Sequence, residues 1–123
     1  MLPRLRNIRL YHPRPVGKAA KIYSWGEAYG SARNFPTVPL DPNPDAVVYL
    51  CEGESDTICA ISQGLNAITH TTKRDEYTTE LLEPFIGRDV IVCYDADEPG
   101  QKFNIKAAKN LYNVARSVKI LVW

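Results

Sequence analysis

From residue 46 onward, short unbroken apolar runs are separated by stretches whose apolar residues recur at helical spacing. "AVVYLC" (46–51) is a continuous apolar run of strand length bounded by polar residues. "SDTICAISQG" follows as a helix, with Ser55 or Asp56 as N-cap, Ile58, Ala60 and Ile61 as apolar positions, and Gly64 as its stop. "NAITH" (66–70) reads as a second short strand. "RDEYTTELLEPFIG" carries Tyr77, Leu81, Leu82 and Phe85 at helical spacing, interrupted by Pro84. "DVIVCY" (89–94) is a third buried strand. A long helix opens at Pro99 and runs to about Arg116, with Phe103, Ala107, Leu111, Val114 and Ala115 on one face. "VKILVW" (118–123) closes the chain as a fourth strand.

Strand and helix thus alternate three times and end in a strand. That order predicts an α/β domain: a Rossmann-like, parallel four-stranded sheet with flanking helices. In such sheets ligands bind beyond the carboxyl ends of the strands. Before residue 46 the pattern is different. "PTVPLDPNP" (36–44) holds four prolines in nine residues and reads as a linker, because proline lacks a donor and biases its predecessor toward extended backbone. Ahead of it, "RNIRLYHPRPVGKAAKIYSW" has two short extended stretches, which fit a β-hairpin or a loose arm. The expected division is a basic arm and linker over 1–44 and an α/β domain over 45–123.

Composition changes this picture in three places. At 123 residues, 45% hydrophobic and 24% charged, the chain has room for one ordinary globular core. No apolar run approaches the ~20 residues of a membrane span, and no secretory leader is visible, so a cytoplasmic protein is expected. Cys51, Cys59 and Cys93 are odd in number and form no CxxC pair, which predicts free, buried thiols; His12 and His70 show no zinc spacing with them. Charge is divided unevenly. Residues 1–40 carry seven Lys/Arg against Glu27 alone, whereas the remainder carries eight basic against thirteen acidic side chains. A basic arm on an acidic domain points to nucleic acid, with Arg14, Lys18, Lys21 and Arg33 as candidate phosphate contacts.

Two predicted strands end in carboxylates. The first gives "CEGESD", with Glu52, Glu54 and Asp56 around Gly53, and the third gives "YDADE", with Asp95, Asp97 and Glu98. If these strands are neighbours, Glu52, Asp95 and Asp97 converge at one edge and repel one another. A hard divalent cation would remove that repulsion, since Mg²⁺ takes carboxylate and water oxygens. Each acid has a blander use: Asp97 and Asp56 sit where helix caps belong, and Glu54 and Glu98 fit solvated positions. Asp95 and Glu52 have no such excuse.

"VVYLCEGESD", "GLNAITH" and "VIVCYDADEPGQKF" together resemble the Toprim domain of primases, topoisomerases and related nucleases, over residues 46–123. The "EGESD" and "DADEPGQK" forms look most like bacterial-type primases and phage, plasmid and mitochondrial primase-helicases. "PVGKAAKIYSWGEAYG" is loosely similar to the segment preceding Toprim in the latter. The resemblance implies that Glu52 is the general acid or base and belongs to the metal triad, that Asp95 and Asp97 bind Mg²⁺ (or Mn²⁺), and that Asp56 contributes to the metal. It implies that Gly53 and Gly100 leave room for phosphate. Lys102 is a candidate phosphate contact, although a solvated helix face explains it equally well. Such primases carry further acidic residues after the fourth strand, where this chain stops. A fragment of, or a partner within, a larger replication protein is therefore expected.

The leading functional expectation is the Toprim module of a DNA primase or primase-helicase, supplying Mg²⁺ for RNA primer synthesis from nucleoside triphosphates on a DNA template. A Toprim nuclease or topoisomerase-like module is the alternative, and a non-catalytic DNA-binding scaffold is a third. An aspartyl-phosphate phosphatase is disfavoured, since its DxD pair follows the first strand.

Overall fold

The computed structural model describes residues 8–11, 22–25 and 32–122. Met1–Ser31 and Ala32–Trp123 are separate compact units. In the first, β1 (Ile8–Tyr11) pairs antiparallel with β2 (Ile22–Trp25) in register Ile8 to Trp25. Two paired extended stretches are what the arm's pattern predicted. Arg14, Lys18 and Lys21 lie outside the described residues.

The second unit is α/β. Its sheet contains β3 (Asn34–Phe35), β4 (Val48–Cys51), β5 (Ala67–His70), β6 (Asp89–Cys93) and β7 (Ser117–Ile120), in spatial order β3-β5-β4-β6-β7. The four strands expected from the apolar runs are all parallel to one another. The fifth, β3, adds an antiparallel edge through Asn34 and Phe35, opposite His70 and Thr69. Two residues are too short to leave an apolar signature, so this strand is invisible in the pattern. Val48, Leu50, Ile68, Val90 and Val92 are fully or almost fully buried and form the sheet's share of the core. Phe85, Tyr94, Ala107 and Leu111 complete it.

Three helices connect the strands. α1 (Glu54–Ser62) follows β4, and α3 (Glu98–Leu111) follows β6. α1 starts from extended Gly53 with no side-chain cap, so neither Ser55 nor Asp56 caps it; Asp56 falls in the first turn, where its charge suits the helix dipole. Only Thr57 of this helix is buried, and Ile58 is 56% exposed, so α1 covers the sheet less fully than its apolar positions suggest. It ends as expected at Gly64, whose φ of 87° allows a Schellman closure, Leu65 N–H to Ala60 O and Gly64 N–H to Ile61 O.

The helix read around Tyr77–Phe85 shrinks to α2 (Thr79–Leu82) and one 3₁₀ turn, Glu83–Phe85. Tyr77 precedes the cap because its N–H is taken by Asn110 Oδ1 at 2.9 Å. α3 likewise stops at Leu111 rather than Arg116. Val114 and Arg116 are bonded instead to Gly87 and Arg88, which turns the chain into β7.

The proline-rich segment is tied down. Arg88 donates to the carbonyls of Asn43 (2.9 Å) and Asp41 (3.4 Å), and Arg116 bridges Asp45 and Asp89. The cysteines are free, yet only Cys51 is buried; Cys59, on the open face of α1, is exposed, which corrects the expectation of three buried thiols. Among the described residues no helix is long and apolar enough to cross a membrane.

Candidate functional site

The connection after β4 leads to β5 on one side, and that after β6 leads to β7 on the other. The crevice beyond the carboxyl ends of β4 and β6 is therefore the sheet's switch point, the place where this class of sheet holds ligands. Cys51 and Cys93 are paired in register as the last residues of the two strands. Glu52 and Tyr94–Asp95 consequently leave the sheet side by side.

Glu52 is the best-held of the acids. Its Oε2 accepts the Asp95 backbone N–H at 2.7 Å, and its Oε1 carries the ammonium of Lys73. The Glu52 side chain is 13% exposed. Tyr94 is buried, with its N–H on Asn104 Oδ1 at 3.2 Å, so α3 fixes the backbone from which Asp95 departs. Burial pushes the Asp95 carboxyl above its usual range, and the charges of Glu52, Asp56 and Asp97 push it further in the same direction. Asp95 thus feels the charges of Glu52, Asp56 and Asp97 together.

Asp97 caps α3, accepting the Gly100 N–H on Oδ1 at 2.7 Å. Gly100 is buried against the same turn. A methyl on it would overlap the Asp95 carbonyl oxygen and fall 2.9 Å from both the Asp95 carbonyl carbon and Asp97 Oδ1. Gly53 is less confined, its nearest neighbour being Asp56 Oδ2 at 3.5 Å from a built Cβ. Lys102 is paired with Glu98 at 2.9 Å, both side chains largely in solvent. Arg33 belongs to the second unit, where its N–H and C=O bond Thr71 beside β3.

Among the described residues no three acidic, cysteine or histidine side chains close around a common point as a formed metal centre. The reason is visible in the donors: Glu52 is neutralised by Lys73, and Asp97 is turned onto its helix. Beneath them, burial raises the Cys51 thiol to about 11, with Cys93 adding to the effect, and raises Cys93 too. Both stay protonated at neutral pH, so the oxygens are the available ligands.

Two contributors had been missed. Lys73 lies in a polar connection whose fold no periodicity marks, and nothing in the chain flags it. Asn104 did leave a signal, a polar residue in line with the buried Gly100, Ala107 and Leu111 of α3. Beside Asp95, an open groove of about 270 Å³ is lined by Ala96, Gln101, Asn104, Ile105, Ile120, Leu121 and Val122.

Against known proteins, residues 49–123 match the model of a family described as Toprim-like. No curated protein and no solved structure matches the chain. The match covers more than half of the sequence, from β4 to the end, and takes in both carboxylate-bearing strand ends. The chain belongs to the Toprim-like family.

Proposed function

We propose that residues 45–123 are the Mg²⁺-dependent nucleotidyl-transfer module of a DNA primase or primase-helicase, and that residues 1–44 are an arm contacting nucleic acid. The observation that carries this reading is the Glu52 carboxylate seated on the Asp95 N–H at 2.7 Å, at the switch point of the sheet. Toprim domains act on nucleic acids and generally bind Mg²⁺. The residues here fit that ion: four carboxylates supply hard oxygen donors, their repulsion is felt at Asp95, and a lysine ammonium already stands in as the cation.

Asp95, Asp97 and Glu52 would hold the ion, with Asp56 beside them. Bound Mg²⁺ would neutralise the transferring phosphoryl group. Glu52, oriented by two donors, is placed to take or return the proton at the reacting oxygen. Gly100 and Asn104 keep the Asp95 backbone in place, and Gly53 would leave the edge open to phosphate, whereas the space over Gly100 is filled by the Asp95 carbonyl. The groove beside Asp95 offers the nucleotide an apolar wall next to the carboxylates. Lys102 would reach phosphate only by leaving Glu98. Arg14, Lys18, Lys21 and Arg33 would bind DNA backbone without reading sequence. Further domains of a larger cytoplasmic replication protein would supply what this chain does not.

The test supplies the chain with single-stranded DNA, nucleoside triphosphates and Mg²⁺, beside a Glu52→Gln variant. Short RNA products from the wild type only would support the primase reading. Nicking or relaxation of supercoiled plasmid would assign the nuclease or topoisomerase branch instead. DNA binding with neither activity would favour the scaffold.

A further inference from the structure

Lys73 brings a positive charge onto the acidic edge from outside both acidic motifs. It sits after β5, twenty-one residues from Glu52, and its ammonium rests on Glu52 Oε1 while lying 5.0 Å from the centroid of the Phe103 ring on α3. Its side chain is 37% exposed against 13% for Glu52, so the lysine closes the carboxylate off from the solvent side. The connection bearing it is anchored independently by Asn110, which holds the Asp75 carbonyl at 2.8 Å and the Tyr77 N–H at 2.9 Å, while the exposed Asp75–Lys106 pair adds little. Lys73 can leave Glu52 without unravelling the segment, and the Phe103 face gives its charge a second resting place.

We propose that Lys73 is a built-in counter-ion that competes with a divalent cation for Glu52, neutralising it when the metal is away and yielding it when the metal arrives. This rests on the metal reading above. It makes metal affinity depend on a residue that is not a ligand.

The test titrates Mn²⁺ alone, without nucleotide, into the full chain and four variants: Lys73→Met, Lys73→Arg, Lys106→Met and Asp95→Asn/Asp97→Asn. Lys73→Met should bind Mn²⁺ about 5-fold more tightly, the upper end for a partly exposed ion pair. Lys73→Arg keeps the competing charge and should bind no more tightly than wild type. Lys106→Met is the control for net charge, since Lys106 lies the same 5.0 Å from the Phe103 centroid but pairs with Asp75. Its affinity should stay at the wild-type value. Unchanged or weaker binding by Lys73→Met, or equal tightening by Lys106→Met, would overturn the role of Lys73 while leaving the metal site standing, provided that the double variant loses affinity. No saturable binding in any variant would overturn both.

Discussion

Gly100 is a glycine for reasons of space. A Cβ at that position meets the Asp95 carbonyl and the Asp97 carboxylate, both backed by the start of α3. Gly100→Ala should therefore destabilise the domain by ~1–3 kcal/mol, the usual range for overpacking, read from urea midpoints. Asp97 combines two uses that substitution can separate. Asp97→Ala loses the cap and should cost about 1 kcal/mol, whereas Asp97→Asn keeps a capping oxygen and should fold within a few tenths of wild type. His70 offers a prediction in pH. It is 4% exposed against Tyr77 and Phe85, neither ring nitrogen has a hydrogen-bond partner, and burial lowers its pKa from 6.5 to about 4, the nearby Leu81 backbone opposing weakly. The unfolded chain takes up this proton first. The contribution of His70 is thus complete above pH 6.5 and lost as pH falls toward 4, on the order of 3 kcal/mol. His70→Phe should flatten that part of a stability-against-pH curve; an unchanged slope would mean that the ring is not the group titrating. Glu52 and Asp95 were legible because acids directly following apolar strands have no packing use. Lys73 was not, because its partner is set by the path of a loop.

At the scale of elements, the parallel strands were readable because burial on both faces leaves continuous apolar runs such as "VVYLC" and "VIVCY". Helix ends were less so, since hydrogen bonds from distant parts of the chain decide them: Asn110 Oδ1 accepts the Tyr77 N–H before α2, and the Gly87 N–H donates to the Val114 carbonyl after α3. The proline-rich segment was read as a linker, and its attachment through Arg88 and Arg116 rests on long-range pairs that no local pattern encodes. One of these pairs responds to acid. Arg116 and Ser117 at the start of β7 donate to Asp89 at the start of β6, and these bonds lower the Asp89 pKa from 3.8 to about 2. Their contribution is present above about pH 4 and disappears as pH falls through 2. Asp89→Asn should lose less melting temperature than wild type between pH 4 and pH 2, a comparison made by circular dichroism.

For the whole molecule, the proposed binding arm rests on the excess of basic residues before residue 41. Neutralising Arg14, Lys18 and Lys21 together to glutamine should weaken DNA binding uniformly across sequences and lower its salt dependence by about three charges' worth of slope. Equal affinity across a salt series would make the arm a packing segment. The central claim concerns the acidic edge, and calorimetric titration of Mn²⁺ into the full chain, with a nucleoside triphosphate present, tests it most directly. Wild type should bind saturably and the Asp95→Asn/Asp97→Asn double variant about 10-fold or more weakly, since even residues that only orient a metal ligand are worth that much. The double variant should also fold at least as stably as wild type without metal, because the repulsion at Asp95 is relieved. Identical Mn²⁺ affinities in the two proteins would contradict the account, leaving Asp97 only its cap on α3 and Asp95 no task at all.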